Sequence, residues 1–229
     1  MIDPMLEPPK FAFDAVFVIT YGRSGSTLMQ GILNSIDGFH IKGENNGFVF
    51  KLFESYQLLV NAKEEHGSNN RPMTKPWYGL QDIDLELIID DLRTTVKHML
   101  ISKTAHNADT ACIGFKEIRY LEMGDKFGPY LDFLMLLFPK AGFVMLSRDH
   151  DDVAKSRWWA KQNKASVMQS LSNHETRARE YARGKDNCFS VTYADMVGQT
   201  DHFKAMFEFL GATYNQDVIG KTLATPHSY

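Results

Sequence analysis

The chain has 229 residues, and its 25 lysines and arginines against 28 aspartates and glutamates give a formal charge of −3. Proteins that bind the nucleic-acid backbone are normally basic, so we expect no nucleic-acid partner. Hydrophobic residues make up 44% of the chain, which excludes wholesale disorder and is enough for the core of a single domain spanning residues 1–229.

The N-terminal segment does not have the pattern of an export signal. Acidic residues and prolines occupy positions where a signal peptide has a basic start and a continuous apolar stretch. No run reaches the roughly 18 apolar residues that a membrane span needs. The two cysteines, Cys112 and Cys188, lie in short apolar runs and are expected to be reduced core thiols. We therefore expect a soluble, cytoplasmic protein without a transmembrane segment.

Short apolar runs alternate with amphipathic helical patterns along the chain. A continuous apolar run predicts the first strand at residues 15–19, followed directly by a glycine loop and a helix. Similar runs predict three further strands, at residues 111–115, 142–146 and 188–192. The spacing of apolar residues predicts the helices, at residues 28–36, 48–65, 83–105, 130–138, from 153 onward and 196–210.

This alternation favours an α/β fold with a parallel sheet of about four or five strands flanked by helices on both faces. The helices at 48–65 and 83–105 form a helical insertion, at about residues 46–106, between the first and second core strands. No repeat or linker marks a second domain.

The loop after the first strand contains the most informative motif, Gly22-Arg23-Ser24-Gly25-Ser26-Thr27. Glycines allow a tight turn close to a ligand, and the unpaired amides at the start of the following helix attract anions. Arg23 adds a cation, and Ser26 and Thr27 add hydroxyl donors. The context predicts a phosphate-binding loop in a three-layer fold of the P-loop type; the alternative is an ordinary turn.

Two absences disfavour an enzyme that consumes ATP or GTP. Loops that bind nucleoside triphosphates place a lysine before the final Ser or Thr, and no lysine precedes Ser26 or Thr27. No predicted strand ends in an evident metal-binding aspartate, and the eight histidines show no metal-ligand spacing. We therefore predict no metal site.

A second anion site is predicted after the strand at 142–146. Arg148 follows this strand, and Ser156 lies eight residues later, about two turns into a predicted helix. A guanidinium and a hydroxyl could bind one phosphate together. The acidic residues at 149–152 suit the helix dipole and need no further role.

Taken together, these motifs resemble those of the PAPS-dependent sulfotransferases over nearly the whole chain. The loop FVITYGRSGSTLMQGIL resembles the family's 5′-phosphosulfate loop, and LSRDHDDVAKS resembles its 3′-phosphate motif. The closing VTYADMVGQTDHFKAMFEFLGA resembles the family's Tyr-acid segment and Phe-Leu-Gly helix. The Arg-Ser-Gly-Ser form is similar to bacterial and Golgi-type members, such as tyrosylprotein and carbohydrate sulfotransferases, more than to cytosolic ones.

The resemblance implies a role for each matching residue. The 5′-phosphosulfate would be bound by the loop residues Arg23, Ser24, Gly25, Ser26 and Thr27. The 3′-phosphate would be bound by Arg148 and Ser156, with Tyr193 nearby. Glu44, in a Gly-Glu segment similar to that of the tyrosylprotein sulfotransferases, would be the catalytic base, and Lys116 would support transfer.

The chemistry implied is a metal-independent, in-line transfer of a sulfuryl group from PAPS to an acceptor hydroxyl, with PAP as the product. A carboxylate can take the proton of the attacking hydroxyl, and a lysine can stabilise the charge that grows on the leaving oxygen. Glu44 could instead be a solvated loop acid, and Lys116 could pair with Glu117. Two rival functions stay open: a P-loop nucleotide kinase, and a non-catalytic protein that binds PAPS or PAP.

The loop at residues 71–79 is a candidate for contact with the acceptor. Its aromatic residues beside prolines could stack on a sugar, which slightly favours a carbohydrate or glycolipid hydroxyl as the acceptor; a small molecule stays open, and Trp77 could instead only fix the loop to the surface. Trp158 and Trp159 are interpreted as packing residues. Cytosolic members of the family cover the 3′-phosphate with an Arg-Lys-Gly loop. The 229 residues do not contain that loop, so the resemblance does not assign a segment to this role.

Overall fold

The predicted apolar runs form one parallel sheet. The computed structural model describes residues 11–67, 71–101 and 110–225. Within these residues five strands pair in the order β2-β3-β1-β4-β5, and each neighbouring pair is parallel. The strands are β1 (Ala15–Ile19), β2 (Phe39–Lys42), β3 (Cys112–Glu117), β4 (Ala141–Ser147) and β5 (Cys188–Thr192).

Helices connect the strands and cover both faces of the sheet, as the alternating sequence pattern predicts. Those before β4 are α1 (Ser26–Leu33), α2 (Phe48–His66), α3 (Leu85–Leu100) and α4 (Phe127–Leu137). Those after β4 are α5 (His150–Ala154), α6 (Lys164–Ala182), α7 (Tyr193–Gly198), α8 (Asp201–Leu210) and α9 (Gln216–Ala224). None of the helices among the described residues is long and apolar enough to cross a bilayer.

The two faces of the sheet form separate apolar cores because successive side chains of a strand point to opposite sides. Phe17 of β1 packs on one face with residues of α2, α3, α4 and α6. Val16 and Val18 pack on the other face with residues of α1, α8 and α9. Every residue of β1 is buried, as its continuous apolar run predicts for a central strand.

Strand β2 was not among the strands that the sequence predicts. It has only four residues, its burial alternates, and it pairs with β3 alone, at the edge of the sheet. The Asn34 side chain, at the end of α1, bonds to both backbone groups of Ile41 and so fixes the turn into this strand. A polar edge strand of this length gives too short a pattern for periodicity to detect.

Two predicted helices end earlier than their apolar patterns suggest. The helix expected from residue 153 onward stops at Ala154, and the helix expected over 196–210 is split into α7 and α8. Residues with positive φ lie after both stops, Arg157 at 47° and Gln199 at 49°. The second helix expected in the insertion region, 83–105, begins at Leu85 with Asp84 as its cap; the end of that prediction falls on residues 102–105, outside the described residues.

Candidate active site

The glycine loop turns sharply from β1 into α1. Gly25 has a φ of 92°, in the left-handed region, and directly precedes the first residue of α1. A Cβ at this position would lie 2.3 Å from the Tyr193 ring, so the loop can pack this closely only with glycine. No side chain caps the first turn of α1, which leaves its amide groups available to an anion.

A cavity of about 290 Å³ lies at the start of α1 and brings most of the predicted binding residues together. Leu223 and Thr225, from α9 and just after it, complete its wall. The predicted residues that line the cavity are Arg23, Gly25, Ser26, Thr27, Arg148 and Tyr193. Two arginines, two hydroxyl side chains and a helix start therefore face one space, which is the composition of an anion site.

Ser24 and Ser156, the other two predicted binding residues, do not line this cavity. Ser24 is fully buried beneath the loop, where its hydroxyl is bonded to that of Thr20 at 2.7 Å. Thr20 also donates to the Leu146 carbonyl oxygen at 2.7 Å, which connects the loop to β4. Thus the Ser24 side chain pins the loop to the sheet.

Ser156 lies beside the cavity, in contact with the glycine loop. The prediction that Ser156 lies two turns into a helix is wrong, because α5 ends at Ala154 and Ser156 lies in the turn after it. The Arg23 Nε donates to the Ser156 hydroxyl at 2.9 Å. The two predicted phosphate motifs are therefore joined by a direct side-chain contact.

The Arg148 guanidinium lies between the glycine loop and α7. Its central carbon lies 4.2 Å from the centre of the Tyr193 ring, a cation–π contact. Its Nη1 donates to the Arg23 carbonyl oxygen at 3.4 Å, and Nη2 lies 3.6 Å from Asp152. The Nε atom is buried with no hydrogen-bond partner among the described residues, so the guanidinium retains donor capacity beside the cavity.

Glu44 and Lys116 meet at the opposite side of the loop from Arg148. Lys116 lies on β3 beside Val18 of β1, and its Nζ donates to Glu44 Oε1 at 2.6 Å. The side chain of Lys116 is 6% exposed, while that of Glu44 is 38% exposed. The pair therefore places a buried cation next to a carboxylate that solvent or an acceptor can reach.

The neighbouring acid, Glu117, holds the loop on which Glu44 lies. Glu117 is 1% exposed, and its carboxylate accepts from the backbone amides of Asn45, Gly47 and Ile118. Lys116 consequently pairs with Glu44 and not with Glu117, the alternative that the sequence left open. Sequence reasoning missed this role because it depends on loop 43–47 folding back onto the end of β3.

Comparison with known proteins agrees with the observed fold. A sequence profile described as the sulfotransferase family matches residues 15–216, which is most of the chain. The chain belongs to the sulfotransferase family. Family membership supports sulfuryl transfer as the class of reaction.

One solved sulfotransferase structure shares the fold, and a second is compared beside it. The sulfotransferase domain from the curacin biosynthetic pathway is 14% identical, with a TM-score of 0.53 over 89% of this chain and 75% of that one. Sulfotransferase STF9 from Mycobacterium avium is 12% identical, with a TM-score of 0.41 over 92% of this chain and 67% of that one. The search of curated proteins found no match. The likeness to bacterial and Golgi-type branches stays a prediction from the loop sequence.

The two tryptophans of this sulfotransferase contact the glycine loop, and Trp158 stays 44% exposed. The Trp159 indole N–H donates to the Gly22 carbonyl oxygen at 3.0 Å. A Cβ on Gly22 would lie 2.7 Å from the ring of Trp158, whose centre is 6.0 Å from the Arg23 guanidinium. The early end of α5 is what brings this segment across the loop.

The candidate acceptor loop of the sulfotransferase lies far from Glu44. Trp77 stacks on His66, the last residue of α2, with ring centres 4.4 Å apart. The 19-residue helix α2 begins at Phe48, near Glu44, so His66 lies roughly 27 Å along it at a rise of about 1.5 Å per residue. Two residues after Glu44, the Asn46 side chain accepts a hydrogen bond from Arg119 at 2.8 Å.

Within the described residues, the positively charged groups of the sulfotransferase site are cationic side chains and not a metal-ligand cluster. Residues 11–67, 71–101 and 110–225 contain no group of three or more His, Cys, Asp or Glu side chains arranged to hold a metal ion. The cationic groups at the site are the side chains of Arg23, Arg148 and Lys116.

Proposed function

We propose that this sulfotransferase transfers the sulfuryl group of PAPS to an acceptor hydroxyl. One observation supports the proposal above the others: Lys116, paired with Glu44, lies on β3 at one side of β1, and Arg148 of the anion cavity follows β4 at the other side, so the two groups flank the loop that follows β1. A sulfotransferase must bind an anionic donor and present an acceptor oxygen to it, and these two features supply one group of residues for each task.

The cavity suits a nucleotide with phosphates at both the 5′ and 3′ positions. Arg23, Ser26 and Thr27 at the start of α1 would bind the 5′-phosphosulfate. Arg148, which lines the cavity, would bind the 3′-phosphate through its guanidinium, with help from Ser156, which is bonded to Arg23. Tyr193, which holds the Arg148 guanidinium in a cation–π contact, would keep that side chain directed into the cavity.

Sulfuryl transfer proceeds by in-line displacement in this proposal. Glu44 takes the proton from the acceptor hydroxyl, and the oxygen attacks sulfur. The bond from sulfur to the bridging phosphate oxygen breaks, and PAP leaves with the electron pair. Lys116 leaves Glu44 for that bridging oxygen and stabilises its growing negative charge. The buried position of Lys116 strengthens this interaction because little water screens it.

The proposal is tested by measuring PAP formation from PAPS with a panel of acceptors: a phenol, an aliphatic alcohol and a monosaccharide. We expect PAP to form with at least one acceptor class. The Glu44→Gln variant, which keeps a hydrogen-bond acceptor for Lys116 but cannot take a proton, should lower kcat by about 10²–10⁴-fold. The dissociation constant of PAP should stay at the wild-type value.

Glu54→Gln is the matched control. Glu54 also forms a 2.6 Å ion pair with a lysine, Lys126, but lies on α2 outside the site. This variant should keep wild-type turnover. Wild-type protein that binds PAP but forms no sulfated product with any acceptor would contradict the proposal and identify a non-catalytic binding protein. Full activity of Glu44→Gln would remove Glu44 from the mechanism.

A further inference from the structure

Tyr21 and Arg148 lie just beyond the carboxyl ends of two neighbouring strands. The ladder between β1 and β4 ends at the pair Ile19 and Met145, so the backbone of Arg148 lies outside it. The Arg148 N–H donates instead to the Tyr21 hydroxyl at 2.8 Å. A side chain from the start of the glycine loop therefore fixes the backbone of the arginine that faces the anion cavity.

Glu175, on α6, holds the Tyr21 hydroxyl that accepts this hydrogen bond. The Tyr21 hydroxyl donates to Glu175 Oε1 at 2.7 Å, and the His150 Nε2 lies 2.9 Å from the same oxygen. Burial, and then the hydrogen bond to Glu175, raise the pKa of Tyr21, so the hydroxyl keeps its proton at neutral pH. The hydroxyl has one hydrogen and also lies 3.0 Å from the Arg148 carbonyl oxygen, so the shorter bond to the Glu175 carboxylate is what keeps it turned away from that carbonyl while it accepts from the Arg148 N–H.

Neither Tyr21 nor Glu175 lines the anion cavity. Tyr21 is fully buried, and its backbone also bridges to Arg119, so it has little freedom to move. The side chain of Arg148, by contrast, is held by the cation–π contact with Tyr193 and by long polar contacts of 3.4 and 3.6 Å. The short hydrogen bonds in this region are therefore on the Arg148 backbone.

We propose that Tyr21 and Glu175 are positioning residues that hold Arg148 for the 3′-phosphate and so determine the preference for a 3′-phosphorylated nucleotide. This inference rests on the proposed function, since it requires that the cavity bind PAP. It assigns a part in nucleotide specificity to two residues that do not contact the nucleotide.

The test compares the dissociation constants of PAP and adenosine 5′-phosphate, which differ only by the 3′-phosphate, by titration calorimetry. We expect wild-type protein to prefer PAP strongly. Tyr21→Phe, which keeps the ring but loses the hydroxyl, should reduce this preference by about tenfold. Its dissociation constant for adenosine 5′-phosphate should stay within about twofold of wild type. Adding Tyr21→Phe to Arg148→Ala should produce no further loss of preference.

Glu175 offers a second position for substitution. Its side chain is partly exposed, so a change there should disturb folding less than a change at the buried Tyr21. Glu175→Ala should reduce the preference in the same way as Tyr21→Phe. Glu175→Gln, whose amide oxygen can still accept the tyrosine proton, should restore it. If Tyr21→Phe fails to fold, the two Glu175 variants decide the question.

Tyr181→Phe is the matched control. Tyr181 is another tyrosine whose hydroxyl donates to a carboxylate, that of Asp132 at 2.8 Å, and neither residue lines the anion cavity. This variant should leave both dissociation constants unchanged. Equal weakening of both nucleotides by Tyr21→Phe, or an unchanged preference in Tyr21→Phe and Glu175→Ala, would overturn the inference. A wild-type protein that binds both nucleotides equally, or neither, would instead overturn the proposed function and the inference with it.

Discussion

At the scale of single residues, Lys116 shows how a buried charge is kept compatible with the fold. Its ammonium is almost inaccessible to water, and removing its carboxylate partner would leave an unpaired charge, which is strongly destabilising. Glu44 supplies that partner from a loop that Glu117 holds in place. Glu44→Gln is for this reason a better probe of catalysis than Glu44→Ala, which would combine lost chemistry with lost stability.

His174 makes the stability of the protein depend on pH. It is 2% exposed among aromatic rings, and burial, followed by the charge of Arg177, lowers its pKa to about 4. The unfolded chain, with a histidine pKa near 6.5, therefore binds this proton more readily than the folded protein does. The free energy of unfolding should fall as the pH drops from about 6.5 towards 4, by about 2 kcal/mol between pH 7 and pH 5.

Denaturant unfolding at these two pH values measures the effect of His174. His174→Phe, which keeps an aromatic ring but cannot titrate, should remove most of this pH dependence. His98→Gln, at an exposed histidine of α3, should keep the wild-type dependence. A His174→Phe variant that loses stability between pH 7 and pH 5 as steeply as the wild type would show that His174 is not the responsible group.

Residue types and spacing predicted the glycine loop and Arg148, whereas Tyr193, Glu44 and Lys116 were implied only by the resemblance to sulfotransferases. Arg23, Arg148 and Tyr193 follow predicted strands, and in a parallel sheet the carboxyl ends of strands lie on one edge. The sequence could not show which serine faces the ligand space, because Ser24 and Ser26 are two positions apart in a loop of irregular geometry. The structure buries Ser24 and places Ser26 on the cavity wall.

At the scale of elements, the close contact between the glycine loop and α7 depends on Gly25. An alanine there would adopt an unfavourable positive φ and would also collide with Tyr193, the ring that holds Arg148. We expect Gly25→Ala to weaken PAP binding by about tenfold or more, measured by titration calorimetry.

The Gly79→Ala variant is a control for Gly25→Ala, because it introduces backbone strain without a collision. Gly79 has a similar φ of 78°, but a Cβ there would meet no atom within 4 Å. This variant should lower the free energy of unfolding by about 1 kcal/mol and leave PAP affinity unchanged. Equal loss of PAP affinity in the two variants, or none in Gly25→Ala, would contradict the role given to the loop contact.

The predicted elements agree with the structure where the apolar pattern is clear. They differ where a contact between residues distant in sequence determines where an element ends. The strands at 15–19 and 188–192 have the predicted bounds, and α4 lies close to its predicted place. The end of α5 depends on Trp159 reaching Gly22, 137 residues away in sequence, and such a contact leaves no local signal. The part of the cavity wall that α9 forms was also not predicted from the sequence, because this contact too leaves no local signal there.

At the scale of the whole molecule, strand order explains why the site lies at the end of β1. The chain passes from β1 to β2 and β3 on one side, and then to β4 and β5 on the other. In open α/β sheets, ligands bind where the order reverses in this way. The reversal places Lys116 of β3 on one side of the glycine loop and Arg148, after β4, on the other.

The most direct measurement of the central claim is thermal unfolding of the wild-type protein with PAP, with and without Mg²⁺, and with ATP and Mg²⁺. A ligand at 100 times its dissociation constant stabilises a folded protein by about 2.7 kcal/mol, which gives a clear shift in Tm. We predict that PAP stabilises the protein without Mg²⁺ and that Arg148→Ala loses the shift. Stabilisation by ATP with Mg²⁺ alone would contradict the sulfotransferase account and favour a nucleotide kinase.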